Sequence, residues 1–180
     1  MVVGVSGVAG AGKDLFCDTL FNYLSCEMKA SVMKLSIAFA LKRDLQEWCM
    51  YQYGIDPLNC TREEKELIRE FLVFHGTFKR RNTEGRFWID SLNSAIKRHS
   101  KNYDFILISD VRYDDYPKDE VHWVKEELGG VLVHISQYHL ENRLNYNNVK
   151  VFRKPANAEE ARNEPKLKAA ADYQISWEKY

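Results

Sequence analysis

Apolar positions along this chain alternate between short continuous runs and stripes at helical spacing. Residues 1–6 form an unbroken, valine-rich run that suits a strand buried on both faces of a parallel sheet. A glycine loop covers 7–12, and from Lys13 onward Leu15, Phe16, Leu20, Tyr23 and Leu24 recur with a helical period. A second strand-like run spans 31–37. Leu41, Leu45, Trp48 and Cys49 then mark an amphipathic helix that ends near Gly54 and Pro57. Thr61 with Glu64 reads as a capping box, opening a helix that carries Leu67, Ile68, Phe71, Leu72 and His75 on one side. A basic, turn-prone stretch over 79–86 separates it from Phe87, Trp88, Ile89 and a further helix to about His99. The segment 104–110 (DFILISD) is the clearest buried strand. Val121, Trp123, Val124 and Leu128 predict a helix stopping at Gly129-Gly130, and 131–135 a further strand. Residues 139–171 are polar and sparse in large apolar groups, and 173–177 alternates like a short closing strand. The β-α-β order predicts a three-layer α/β/α sandwich around a mostly parallel sheet of about five strands.

Composition narrows the class. A chain of 180 residues suits one compact α/β domain, here 1–180. With 45% hydrophobic and 29% charged residues it has the balance of a globular protein rather than a disordered one. Twenty-six Lys and Arg cancel 26 Asp and Glu, so no global basic field exists to hold a nucleic acid polymer or an anionic membrane. Any anion site must be local. The apolar start is interrupted by Lys13 and Asp14 before it can serve as a signal sequence, and no segment approaches the roughly 20 apolar residues of a membrane span. Cys17, Cys26, Cys49 and Cys60 form no CxxC pair, which fits reduced thiols and a cytoplasmic location.

The chemistry concentrates at the first strand-to-helix junction. Residues 7–13 (GVAGAGK) match G-x-x-x-x-G-K with a buried strand before and a helix after, the signature of a P-loop NTPase fold. Glycines let backbone N–H groups converge on an anion, the helix adds its positive dipole end, and Lys13 reaches the β- and γ-phosphates of ATP. The hydroxyl residue that normally follows the lysine, a Mg²⁺ ligand, is replaced by Asp14, followed by Leu15. Asp14 has three readings open: direct ligand to the ion, ligand through water, or helix cap.

Asp110 ends the 104–110 strand, where a carboxylate faces the ligand crevice of an α/β sheet and can hold Mg²⁺. Arg112 follows two residues later, placed to grip an acceptor phosphate or to pair with Asp114 or Asp115. Arg80, Arg81 and Arg86 lie among Phe78, Phe87 and Trp88, a mixture that suits a phosphorylated compound with a flat base and equally suits a solvated loop beside core aromatics. Arg143, Arg153, Lys154, Arg162 and Lys166 stud the polar segment, which beside a P-loop reads as a water-excluding lid.

Four stretches, GVSGVAGAGKD, ALKRDL, FLVFHGTFKRR…GRFWIDSL and ILISDVRYDDY, together resemble the deoxynucleoside monophosphate kinases of tailed bacteriophages, over residues 1 to about 135. The GKD form of the loop, the DVR[YF] element and the G-T…FW block are the more specific marks. The resemblance implies an adenylate-kinase-like core with a monophosphate-binding insertion at about 38–86 and a short lid at about 139–170. It implies ATP with Mg²⁺ as donor, a deoxynucleoside 5′-monophosphate as acceptor, and a host cytoplasm if the gene is a phage's. On that likeness Ala9, Gly10, Ala11, Gly12, Lys13, Asp14 and Leu15 line the ATP phosphates, although the family often has a hydroxyl residue where Leu15 stands. Lys42, Arg81, Phe87, Trp88 and Arg112 are expected on the acceptor side, Arg143, Arg153 and Arg162 in the lid, and Asp110 and Asp14 at the metal. Lys13, Arg112 and Asp110 are the expected catalytic set, with small nucleotides as partners and a homodimer left open.

Two other readings fit the motif. One is a P-loop kinase with a different phosphorylated acceptor, of the phosphomevalonate or dephospho-coenzyme A kind. The other is a nucleotide-dependent switch or binding module, against which the chain lacks an N-K-x-D element and has Asp110-Val111-Arg112 in place of D-x-x-G.

Overall fold

The computed structural model describes residues 1–142 and 148–179. Its elements in chain order are β1 (Val2–Ser6), α1 (Lys13–Asn22), β2 (Val32–Ser36), α2 (Ile37–Tyr53), α3 (Arg62–Asn82), α4 (Arg86–His99), β3 (Phe105–Val111), α5 (Glu120–His122), β4 (Val131–Asn142), β5 (Asn148–Phe152), α6 (Ala158–Ala170) and β6 (Tyr173–Glu178). Helices α1 and α5 each run on into a wider turn, Tyr23–Glu27 and Trp123–Glu127.

The sheet runs β2-β3-β1-β4-β5, with β6 also pairing β4. Strands β2, β3, β1, β4 and β6 are parallel, and β5 alone runs antiparallel, on the far end of β4. The expected three-layer α/β/α P-loop architecture is therefore present, with one antiparallel strand more than the sequence pattern predicts. That strand and the far end of β4 escape the pattern because His139, Leu140 and Glu141 on β4 and Val149, Lys150 and Phe152 on β5 are exposed with mixed polarity, so no two-residue period shows.

Alternation along the central strands sorts the core. Val3, Val5, Leu107 and Val133 point to one face, where Cys17 and Leu24 from α1 and its continuation cover them. Val2, Ile106, Ile108 and Leu132 point to the other, under Ile89, Leu92 and Ile96 of α4 and Val121, Trp123 and Val124. Helices α2 and α3 have a separate small core of Leu45, Cys49, Ile55, Ile68 and Leu72. Among the described residues no helix is long and apolar enough to cross a membrane.

The stretch 79–86, expected as a turn, is mostly helix: α3 continues through Asn82 and only 83–85 turn. Three cations in its last turn, Lys79, Arg80 and Arg81, oppose the negative end of the helix dipole and extend it. At the other end of α3 the capping box is complete. Thr61 Oγ1 accepts from the Glu64 N–H (3.2 Å), and Glu64 accepts from the Thr61 N–H (2.8 Å). Replacing Thr61 with Ala should lower unfolding free energy by about 1 kcal/mol, measured by urea denaturation; an unchanged midpoint would mean the cap contributes nothing.

Candidate active site

The ends of β1 and β3 bring two charges of opposite sign together. Beyond Ser6 the loop 7–12 turns into α1, with Gly12 left-handed at φ 93° as its N-terminal cap. Lys13 is 7% exposed, and its Nζ donates to the carbonyls of Gly7 (2.8 Å) and Val8 (3.0 Å). Burial pulls its ammonium below the ordinary lysine range, and Asp110 chiefly opposes that pull.

Strands β1 and β3 pair in register from Val2 with Ile106 to Gly4 with Ile108, then slip so that Ser6 meets Val111. The extra residue is absorbed by a bulge at Asp110, a non-glycine residue at φ 65°. The Asp110 carboxylate accepts from Ser36 Oγ (3.2 Å) at the start of α2 and from Arg112 Nη2 (3.1 Å). Burial by itself raises the Asp110 pKa, but Arg112 and Lys13, with the two hydrogen bonds, hold it below the ordinary aspartate value. It is anionic at neutral pH. An anionic carboxylate beside a hydroxyl is the kind of hard-oxygen donor set that Mg²⁺ accepts when phosphate oxygens and water complete its shell.

A cleft of about 250 Å³ opens beside this pair. Ala9, Asp110, Arg112 and Tyr113 form one wall. Opposite stand Lys42 of α2 and a stripe along α3 that includes Lys65, Arg69, Leu72, Gly76 and Arg80. The segment 38–86 thus contributes α2 and α3 to the cleft, and the residues around the start of α6, Ala156, Asn157 and Glu160, also line it. That region reaches back to the glycine loop: Arg153 Nε donates to the Ala9 carbonyl (2.8 Å), while Glu160 Oε2 accepts from the Ala9 N–H (3.2 Å) and the Ala156 N–H (2.9 Å). From β6, the Trp177 ring lies so close to the loop that a Cβ on Gly12 would sit 2.3 Å from it.

The other expected residues scatter. Trp88 is 3% exposed and packed in the core, its indole N–H directed to the Gly76 carbonyl (3.4 Å), with only an edge on the cleft. Phe87 meets Trp88 edge to face and lies under the Lys79 ammonium. Arg81 is exposed and lines a neighbouring hollow of about 290 Å³ with Tyr116 and Arg162. Arg162 pairs with Asp115 and Glu159, both at 2.7 Å. Arg86 is drawn outward to Glu127 and Asp90. Asp14 and Leu15 are exposed on the first turn of α1, and Ala11 is fully buried. Arg143 lies outside the described residues. Among the described residues no three His, Cys, Asp or Glu side chains gather as a metal cluster.

Sequence reading missed Ser36, Lys65, Arg69, Tyr113 and Glu160. The α3 pair was visible in principle, because Lys65, Arg69, Leu72, Gly76 and Arg80 repeat every three or four residues and so share a helix face. Glu160 had no local signal.

No protein-family model matches this chain, and no curated protein matches it. Among solved structures it is similar to the dephospho-CoA kinase from Campylobacter jejuni, with a TM-score of 0.47 and 15% identity over 99% of this chain and 89% of that one. No donor, acceptor or residue role follows from a likeness of that degree.

Because the Asp110 pKa is depressed in the folded state, the stability it supplies is present above the ordinary aspartate pKa near 4 and disappears as pH falls through the lower folded value. Asp110→Asn keeps a side chain that tolerates the left-handed backbone. The stability gap between wild type and this variant should therefore be widest near pH 7 and close as pH drops below about 4. Denaturation curves at several pH values test this; a gap constant with pH would sever Asp110 from Arg112 and Lys13.

Proposed function

We propose that this protein transfers the γ-phosphoryl group of ATP to a phosphate oxygen of a deoxynucleoside 5′-monophosphate. The observation that carries the reading is the single cleft joining the glycine loop to a second set of cations, Lys42, Lys65, Arg69 and Arg112. A nucleotide triphosphate at the loop accounts for Lys13 and for the N–H groups at the start of α1. It does not account for Lys42, Lys65 and Arg69 on the facing wall or for Arg112 beside Asp110, four further cations that suit a second, phosphorylated reactant. The resemblance to phage deoxynucleoside monophosphate kinases supports the choice of acceptor.

In this scheme Lys13 leaves the loop carbonyls for the transferring phosphoryl group and neutralises charge as it moves. Arg112 holds the acceptor phosphate in line. That acceptor oxygen is already anionic, so no general base is required, and positioning with charge neutralisation supplies the rate. Arg153, already on the loop, adds a cation on the donor side. Asp110 would hold a Mg²⁺, which would supply positive charge beside the phosphates, and Asp14 lies on the adjoining helical turn.

Conversion of ATP to ADP, followed with Mg²⁺ against dAMP, dGMP, dCMP, dTMP and their ribose counterparts, should show turnover that depends on a deoxynucleotide. Lys13→Ala should lose on the order of a hundredfold or more in rate, and Arg112→Ala should raise the acceptor KM more than the ATP KM. Binding of ATP without turnover on any monophosphate would move the acceptor to another class of phosphorylated compound.

A further inference from the structure

Set into the cleft wall, with Arg80 and Glu120 among its lining residues, is a cluster of charges that the scheme above does not use. Arg80, Asp119 and Glu120 are all at least 95% buried: Arg80 is 5% exposed, Glu120 1% and Asp119 0%. Sequence position alone puts Arg80 among candidate phosphate contacts, yet its guanidinium is spent internally. It forks onto both oxygens of Asp119 (3.0 and 2.8 Å), touches Glu120 Oε1 (3.2 Å), and places its Cζ over the Tyr113 ring, 3.7 Å from the centroid.

The carboxylates face the other way as well. Glu120 Oε2 accepts from the backbone N–H groups of Arg112 (2.6 Å) and Tyr113 (3.1 Å), and Asp119 Oδ2 from those of Asp115 (2.8 Å) and Tyr116 (3.3 Å). The α3–α4 turn is fitted to the same cluster. A Cβ on Gly85 would stand 2.7 Å from Asp119 Oδ1, so only glycine leaves room for the approach.

We infer that Arg80, Asp119 and Glu120 form a buried clasp that ties the end of α3 to the loop after β3 and thereby sets the position of Arg112 and Tyr113 in the cleft. Arg80 and Glu120 are positioning residues: they act through the backbone of Arg112 and the ring of Tyr113. Burial lifts the Glu120 carboxyl up to about 7 although Arg80 pulls it down. Charges so costly to bury are weak evidence for stability and suit a role in fixing one arrangement. The effect on an acceptor rests on the function proposed above; the clasp itself does not.

Glu120→Gln tests it with little change of shape. A glutamine has one oxygen, so it can satisfy Arg80 or the two N–H groups but not both. Arg80→Lys is the second variant, keeping the charge and losing the fork. Amide hydrogen exchange by NMR should speed up about tenfold or more at Arg112 and Tyr113 in Glu120→Gln, and at Asp115 and Tyr116 in Arg80→Lys, with α1 amides unchanged. The acceptor KM should rise about tenfold in both, with the ATP KM within about twofold of wild type. Wild-type protection at those amides in both variants would overturn the clasp. So would acceptor and ATP KM values that rise together. A wild-type enzyme inactive on every monophosphate would defeat the proposed acceptor, while the exchange rates would still decide whether the clasp exists.

Discussion

Lys13 and Asp110 stand at the carboxyl ends of adjacent parallel strands, each in a place that a lone charge could occupy only at a large desolvation cost. Lys13 is held by two carbonyls of its own loop, and Asp110 by Ser36 and Arg112, with the field of each charge favouring the other. The register slip between β1 and β3 sets Asp110 within the field of Lys13. Without it the strand would run on in extended form, and the alternation of side chains would turn residue 110 away. A small distortion in the most buried pair of strands thus decides where the polar centre of the molecule lies.

Everything around that centre is arranged in two supports of different character. On one side the sheet and the α4–α5 face form a dense core that leaves the strand ends little freedom. On the other, α2 and α3 pack through their own cluster, Leu45, Cys49, Ile55, Ile68 and Leu72. That pair is also fastened to the sheet, through Ile37 of α2 in the main core and Leu41, which packs against both clusters. Ser36, bonded to Asp110 and capping α2, lies at the joint.

Much of this was legible from residue order, and the reasons differ by element. The buried strands β1 and β3 betray themselves because burial on both faces demands unbroken apolar runs, and the glycine loop because its backbone tolerates few substitutes. The Thr61–Glu64 cap is local chemistry and was equally readable. What escaped is non-local. Whether Arg80 faces a ligand or a pair of carboxylates depends on residues 39 and 40 positions away, and no pattern around Arg80 encodes them. Trp88 likewise reads the same in a binding site and in a core until the helix that carries it is docked. Glu160 and Arg153 reach the loop across some 150 residues.

That last separation bears on how the chain is made. Val2 finds its β3 partner at Ile106, Val3 its β4 partner at Val131, and Ala9 is gripped at both its N–H and its carbonyl from Glu160 and Arg153. Contacts between such distant residues close slowly. Strand β1, buried along its whole length, is synthesised well before β3 and β4 and must wait unpaired until they follow. The glycine loop is thus synthesised before the segments that grip it and is among the last parts to be finished, and the hazard of the process falls on the buried strand that precedes it.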